Sequence, residues 1–440
     1  MKGQRTFHNA LVSYAERRVI DMRRKLVKYV CVCIMAGCVL LGTGACGSRD
    51  VNNPGTTLSD TIFEQNTAVD TYYWDGLLGV TESGCLFPVD ELTGGVLEYY
   101  DFEEKEKFAF CSNVNCSHSD KECAAWFDSF VAAPYIYEGQ VLVFEYINDE
   151  TSWNFISMDV DGTNRKIITK LRPKDFECDN LGAAISPCWY CEEQVVFKVG
   201  CEILGEENNE NVMASINLKT GELKIYEKTR AAGMDAVGVY ENKMLLSRED
   251  SQEQLLNESE FFEENGTLAD YQKYCDEWEQ NAYKKTYYTF DMNSGKCVDV
   301  FSDNTSLLEW DYSQIGMDGS YYYSKGNVIG KVDLEENTQE IIFESEEQIS
   351  MESVLDEHLF FLVLDDNREK RLKDCCMDLA TGEVTELAKS VPGDGWIYRE
   401  TSKYFSGNGE VEGAFGYMFI PKADYYNSEF QNMELIQAVE

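Results

Sequence analysis

The chain has 440 residues, 44% hydrophobic and 13% aromatic, which is enough apolar side chain to bury a large core and too much for an intrinsically disordered protein. A formal net charge of −41 argues against nucleic acid and against electrostatic docking onto anionic lipid headgroups. Cations, neutral glycans and basic proteins remain as partners, although acidity by itself does no more than keep an exported chain soluble.

The first 45 residues hold eight basic and two acidic side chains, so this leader carries +6 and the rest of the chain −47. Arg23, Arg24, Lys25 and Lys28 precede an apolar run from Tyr29 to Leu41, and Gly42, Thr43, Gly44, Ala45 and Cys46 follow. That is the pattern of a signal peptide over residues 1–45. A basic region reaching to Lys28 and containing Glu16 and Asp21 is unusually long, which points to Met22 as the true start. The stretch Thr43-Gly44-Ala45-Cys46 resembles a lipobox, in which small residues before the cysteine let the lipoprotein signal peptidase close on the backbone. The resemblance implies Cys46 as the lipidated residue and a membrane contact through that anchor. Thr43 stands where Leu is usual, so an uncleaved membrane helix and an ordinary cleaved signal are alternatives. With the basic flank inside, all three place residues 51–440 on the outer side of the cell membrane. Residues 46–70 have almost no apolar periodicity and include Asn52, Asn53, Pro54 and Gly55, a tether composition; the folded body is expected over 71–440.

The body opens with a short apolar unit at Tyr100-Asp101-Phe102, followed by Cys111, Cys116, His118 and Cys123 within thirteen residues. Three thiols and an imidazole this close could close a tetrahedral structural zinc site. The spacing is not one of the common zinc spacings and exported cysteines tend to pair, so a disulfide is the competing reading and the favoured one. Either staples a loop and leaves no open coordination position for substrate.

Next comes the clearest copy of a repeat, Ser157-Met158-Asp159-Val160-Asp161-Gly162-Thr163-Asn164-Arg165-Lys166-Ile167-Ile168: an apolar run, an Asp or Asn, a turn, and a second apolar run. Asp159 to Asn164 resembles the opening of a calcium loop, but the twelfth position is Lys170, which cannot ligate a cation, so the segment reads as a hairpin turn. Cys188-Trp189-Tyr190-Cys191 has the C-x-x-C form without the strand-to-helix context that activates a thiol. Further copies centre on Ser215 to Glu222, Thr289 to Lys296, Lys331 to Leu334, Cys376 to Glu383 and Tyr417 to Ile420. Including the first unit there are seven, about 40 to 75 residues apart, each with room for about four strands. Runs rich in β-branched and aromatic residues precede most of them, such as Val141 to Tyr146, Gln194 to Phe197 and Leu359 to Val363, and are expected to be inner, doubly buried strands. The fold class is therefore all-β, a β-propeller of seven blades, with six or eight as alternatives. One insertion, about 251–285, turns to Glu, Gln, Asn and Leu; Leu268, Tyr271, Cys275, Trp278 and Ala282 form an apolar stripe, predicting a helical hairpin. Leu268, Tyr271 and Trp278 are its candidate partner surface.

The Met158-to-Ile167 copy resembles the repeats of TolB-type propellers, and residues 71–430 resemble a group of propeller lipoproteins of Gram-positive anaerobes. A Cys- and His-rich segment occupies the same place in that group. The mature chain retains only His118 and His358, and it has no G-x-S-x-G, H-E-x-x-H or phosphate-binding glycine loop. No catalytic residue is assigned. The expected function is a surface binding or scaffold propeller for a glycan or protein; the alternatives are a carbohydrate-active enzyme and an envelope assembly or sensory component.

Overall fold

The computed structural model describes residues 71–437 except 75–78, 90–93, 114, 192, 206–209, 232–233, 252–270, 272–282, 305–312, 317, 337, 366–367, 369, 390, 393–394 and 412–413. The leader, Cys46 and the tether lie outside the described residues. So do Leu268, Trp278 and the rest of the predicted helical hairpin except Tyr271, which is helical and half-buried, and the ends of the predicted span, Ser251 and Tyr283 to Lys285, which are strand residues of blade 4 and not helix. The chain divides into two compact units. One gathers Met1–Thr56, Ser251–Lys284 and Asn304–Leu308; the other, Thr57–Asp250, Lys285–Asp303 and Glu309–Glu440, carries the sheets analysed below.

Seven four-stranded meanders follow one another along the chain, six as sheets of their own and the third within a five-stranded sheet. Blade 1 runs from Gly79–Val80 to Glu106–Ala109, blade 2 from Val131–Tyr137 to Lys166–Leu171, and blade 3 from Asn180–Cys191 to Leu223–Ala231. Blade 4 runs from Met234–Tyr240 to Cys297–Asn304 and blade 5 from Ser313–Ile315 to Thr338–Glu344. Blade 6 runs from Gln348–Leu355 to Val384–Glu386, and blade 7 from Trp396–Glu400 to Glu434–Gln437. The first strands of successive blades touch one another from blade 1 through blade 7, as strands around a common axis must.

This ordering corrects one expectation. The apolar runs at Val141, Gln194 and Leu359 are the second strands of blades 2, 3 and 6, one step out from the axis. A second strand has sheet neighbours on both edges and another blade on both faces, so it carries the densest apolar sequence: Val141, Val143 and Phe144 are fully buried. First strands instead bend. Register breaks fall between Ala132 and Tyr135, Ala236 and Gly238, Met351 and Ser353, and Ile397 and Arg399, where a bulge sharpens the local twist.

All seven sequence anchors lie on third strands, and the turns of five of them, after Asp101, Asn217, Asp291, Asp333 and Asp378, share one device. The Asn217, Asp291 and Asp378 carboxamide or carboxylate oxygens each accept two backbone N–H groups from the residues two and three further on. Gly221, Gly295 and Gly382 then take φ of 71°, 64° and 73°, which only glycine adopts without strain. These N–H donors hold the Asp291 and Asp378 carboxyls below their ordinary range.

A further strand, Thr71–Trp74, pairs antiparallel with the first strand of blade 3, Thr71 opposite Cys191 and Trp74 opposite Cys188. It covers the inner edge of that sheet.

Among the described residues neither terminal blade borrows a strand from the other, and side chains join blades 1 and 7. Val80, Cys85, Phe102, Phe419 and Ile436 form a buried cluster there. The Phe102 ring lies 4.6 Å from Phe419 and 5.1 Å from Tyr404, between centroids. Glu434 accepts a 2.7 Å hydrogen bond from Tyr100 and pairs with Lys105, and Glu82 accepts from the Ser402 N–H at 2.8 Å. Phe102→Ala is expected to cost about 3–5 kcal/mol in urea unfolding and to raise the protease sensitivity of blade 1 before that of blades 3 to 6. A loss below about 1 kcal/mol would show that the seam is not what closes the ring.

Candidate metal centre

The last strand of blade 1 ends at Ala109, and the chain turns at once because the Cys111 N–H reaches back to the Ala109 carbonyl at 2.7 Å. Short turns then place each cysteine. The Cys116 N–H donates to the Asn113 carbonyl at 2.9 Å and the Cys123 N–H to the Asp120 carbonyl at 3.0 Å. The Asn113 and Asp120 side chains accept the N–H groups of Asn115 and Glu122, the local bonding that makes Asn and Asp turn formers. The loop leaves through Trp126–Phe127, which pairs with Gly95–Val96 of the blade 1 segment.

The ligand atoms of Cys111, Cys116, His118 and Cys123 all lie within 4.8 Å of one another. His118 Nδ1 is 3.4 Å from Cys123 Sγ, and the His118 backbone N–H donates to Cys116 Sγ at 3.4 Å. Cys111 and Cys123 are buried, Cys116 and His118 half-exposed. None of the described cysteines is joined in a disulfide. Burial works to raise the Cys111 thiol, but N–H groups of Asn113 and Ala124 donate to its sulfur and hold it below its ordinary value. Burial pushes Cys123 up to about 12, against an N–H bond from Ala125. His118 has φ of 53°, which swings its ring back toward the sulfurs.

Blade 2 clamps this loop. Arg165 lies over the Phe127 ring at 3.9 Å and donates to the carbonyls of Ala124 at 2.7 Å and Trp126 at 2.8 Å. Gly162, in the same hairpin turn, sits so close that a Cβ would fall 2.4 Å from the Phe110 carbonyl oxygen. The Asp159 to Asn164 segment is thus a docking turn: the Asp159 carboxylate accepts from Asn164 at 2.6 Å and the Gly162 N–H closes on the Asp159 carbonyl.

The C-x-x-C pair does not come together. Cys188 is buried in the core shared with blade 2, and Cys191 in the cluster shared with blade 4, because residues three apart on a strand face opposite sides.

Two ionisable clusters had no sequence signal, each being assembled from separate stretches near blades 6 and 7. In the first, Lys422 donates to Asp356 at 2.8 Å and Glu400 at 2.6 Å, and Tyr426 donates to Asp356 at 2.9 Å. His358, the first residue of blade 6's second strand, has Nδ1 2.6 Å from the Asp356 carbonyl and 3.3 Å from the Tyr426 hydroxyl. Burial works to raise Asp356, but Lys422 and Tyr426 hold its carboxyl below the usual range. In the second, Arg371 pairs with the buried Asp374, and both face Glu352 at the bulge of blade 6's first strand. Burial pushes the Glu352 carboxyl up to about 8, only partly offset by Arg371.

No family model and no curated protein matches this chain. Among solved structures it is similar to the propeller domain of the trilobed protease of Pyrococcus furiosus, with 11% identity, TM-score 0.45, and coverage of 83% of this chain and 99% of that one. It is also similar to an oligogalacturonate lyase of Vibrio parahaemolyticus, with 10% identity, TM-score 0.45, and coverage of 82% and 94%. The acylaminoacyl peptidase of Pyrococcus horikoshii matches with 13% identity, TM-score 0.43, and coverage of 70% of this chain and 46% of that one. The chain thus spans less than half the length of that peptidase.

Glu352 makes stability depend on pH. The folded chain keeps this proton up to about pH 8 while the unfolded chain releases it near its ordinary value of 4.5, so stability falls across that window and levels above it. E352Q carries no such proton. Its stability relative to the parent is expected to rise by about 1–3 kcal/mol between about pH 4.5 and pH 8.5, measured by denaturant unfolding. A difference that does not change with pH would place the Glu352 carboxylate in an ordinary solvated state.

Proposed function

We propose that this chain is a lipid-anchored β-propeller on the outer face of the cell membrane, where it acts as a binding or scaffold module for a glycan or protein. The observation that carries this reading is the way its ionisable groups are arranged among the described residues. Lys422 lies between Asp356 and Glu400, Arg371 pairs with Asp374, and Arg230 pairs with Glu227 at 2.7 Å. Each of these cations is engaged by a carboxylate, and Lys422 bridges blades 6 and 7, a structural use of charge. On the axial strand of blade 7, Trp396 and Tyr398 alternate as half-exposed aromatics, the type of surface on which sugar rings stack. The strongly exposed large apolar side chains among the described residues are Ile167, Leu204, Ile341 and Leu372, scattered over blades 2, 3, 5 and 6. Scattered singly, they supply no broad apolar docking face.

A carbohydrate-active enzyme is the second reading, and Glu352 favours it. A carboxyl that stays protonated near neutral pH on a strand bordering the axis is in the state a general acid needs.

The test is retention of the purified chain on a glycan and cell-wall-fragment array, with product analysis of each retaining spot. Retention of intact ligand, reduced about tenfold or more in W396A, is the expected result. Cleaved product that disappears in E352Q would replace the binding reading with the enzymatic one. Retention on none of the spots would redirect the proposal to a protein partner.

A further inference from the structure

We propose that Cys111, Cys116, His118 and Cys123 bind one zinc ion as a closed structural site in the loop between blades 1 and 2. Three sulfurs and one imidazole nitrogen converge on a single point. A disulfide would use two of the sulfurs and leave the third, together with His118, without a role. The 3.4 Å between His118 Nδ1 and Cys123 Sγ already matches neighbouring corners of a tetrahedron with Zn–S about 2.3 Å and Zn–N about 2.0 Å, and the widest pair needs to close by only about 1 Å.

Backbone geometry adds to this. The His118 N–H is directed at Cys116 Sγ at 3.4 Å. A donor of this kind stabilises a thiolate, the form that ligates metal, and contributes little to a neutral disulfide sulfur. Three thiolates and one Zn²⁺ leave a net charge of −1, and the guanidinium of Arg165, held on the adjacent carbonyls of Ala124 and Trp126, supplies the opposite sign. The donor set contains no carboxylate or carbonyl oxygen, which sets it apart from calcium and magnesium sites, and four protein ligands leave no position for substrate.

The location gives the ion its role. Cys111 and Cys123 belong to the core shared by blades 1 and 2, together with Phe110, Phe127, Met158 and Val160. All four ligands lie in the loop between blades 1 and 2, so the ion holds that loop in the shape on which Arg165 and Gly162 of blade 2 dock.

The experiment uses the full chain isolated anaerobically, stripped with a chelator and titrated with Co²⁺ and then Zn²⁺. One equivalent of Co²⁺ is expected to give the intense visible bands of a tetrahedral site and a thiolate charge-transfer band, both erased by one equivalent of Zn²⁺. C116S and H118A should weaken binding by about tenfold or more, while C297S, at an exposed cysteine on blade 4, should leave it unchanged. Alkylation mapped by mass spectrometry keeps the test independent of variant folding. In the parent, zinc should protect Cys111, Cys116 and Cys123 and leave Cys297 reactive. An octahedral cobalt spectrum indifferent to the variants, or a disulfide between any two of the three cysteines in the protein as isolated, would overturn the proposal.

Discussion

Each blade of this protein has two apolar faces, and neither can be buried except against another blade. The fully buried second strands, with Val141, Val143, Phe144, Val195, Val196 and Phe197 among them, are stable only inside a stack, and the stack must close on itself or leave two faces in water. Closure is therefore the constraint on which everything else depends. Among the described residues it is met without strand exchange. Phe102, Phe419, Tyr404 and the Glu434 contacts to Tyr100 and Lys105 form the seam between the first blade and the last.

Side-chain seams are weaker than shared sheets, because they contribute dispersion and area burial without a ladder of backbone hydrogen bonds. The polar clusters near the seam fit that picture. Lys422, on the short helix after the third strand of blade 7, reaches the turn of blade 6 through Asp356, and Glu400 accepts from both Lys422 and the Asp356 N–H. A half-buried lysine between two carboxylates is satisfied only in the assembled ring, so the cluster favours one blade spacing over nearby ones. The Cys/His loop stands at the opposite side of blade 1, where Arg165 and Gly162 of blade 2 close over it.

The sequence carried the repeat unit unusually clearly because its turn chemistry is local. An Asn or Asp at the end of a third strand, a Thr-Gly or Ser-Gly pair, and a second strand are all written within about twelve residues, and the Asn217, Asp291 and Asp378 turns need nothing from elsewhere in the chain. The same local logic made the Cys and His cluster visible, since thirteen residues hold all four donors. Sequence and structure differ over strand neighbours rather than strand type. Val141 to Tyr146 was recognisable as doubly buried, but a strand's burial does not say which edge faces the axis.

What the sequence determined by itself was thus the all-β class, the seven units, the turns and the set of candidate metal donors, each fixed by residues close together along the chain. Only the tertiary structure decided how the ring closes, which strands border its axis, and that Cys188 and Cys191 face different cores. It also assembled the clusters around Asp356 and Glu352, whose members come from separated segments and share no pattern. Those features depend on distances between residues that only the packing of one blade against the next brings together.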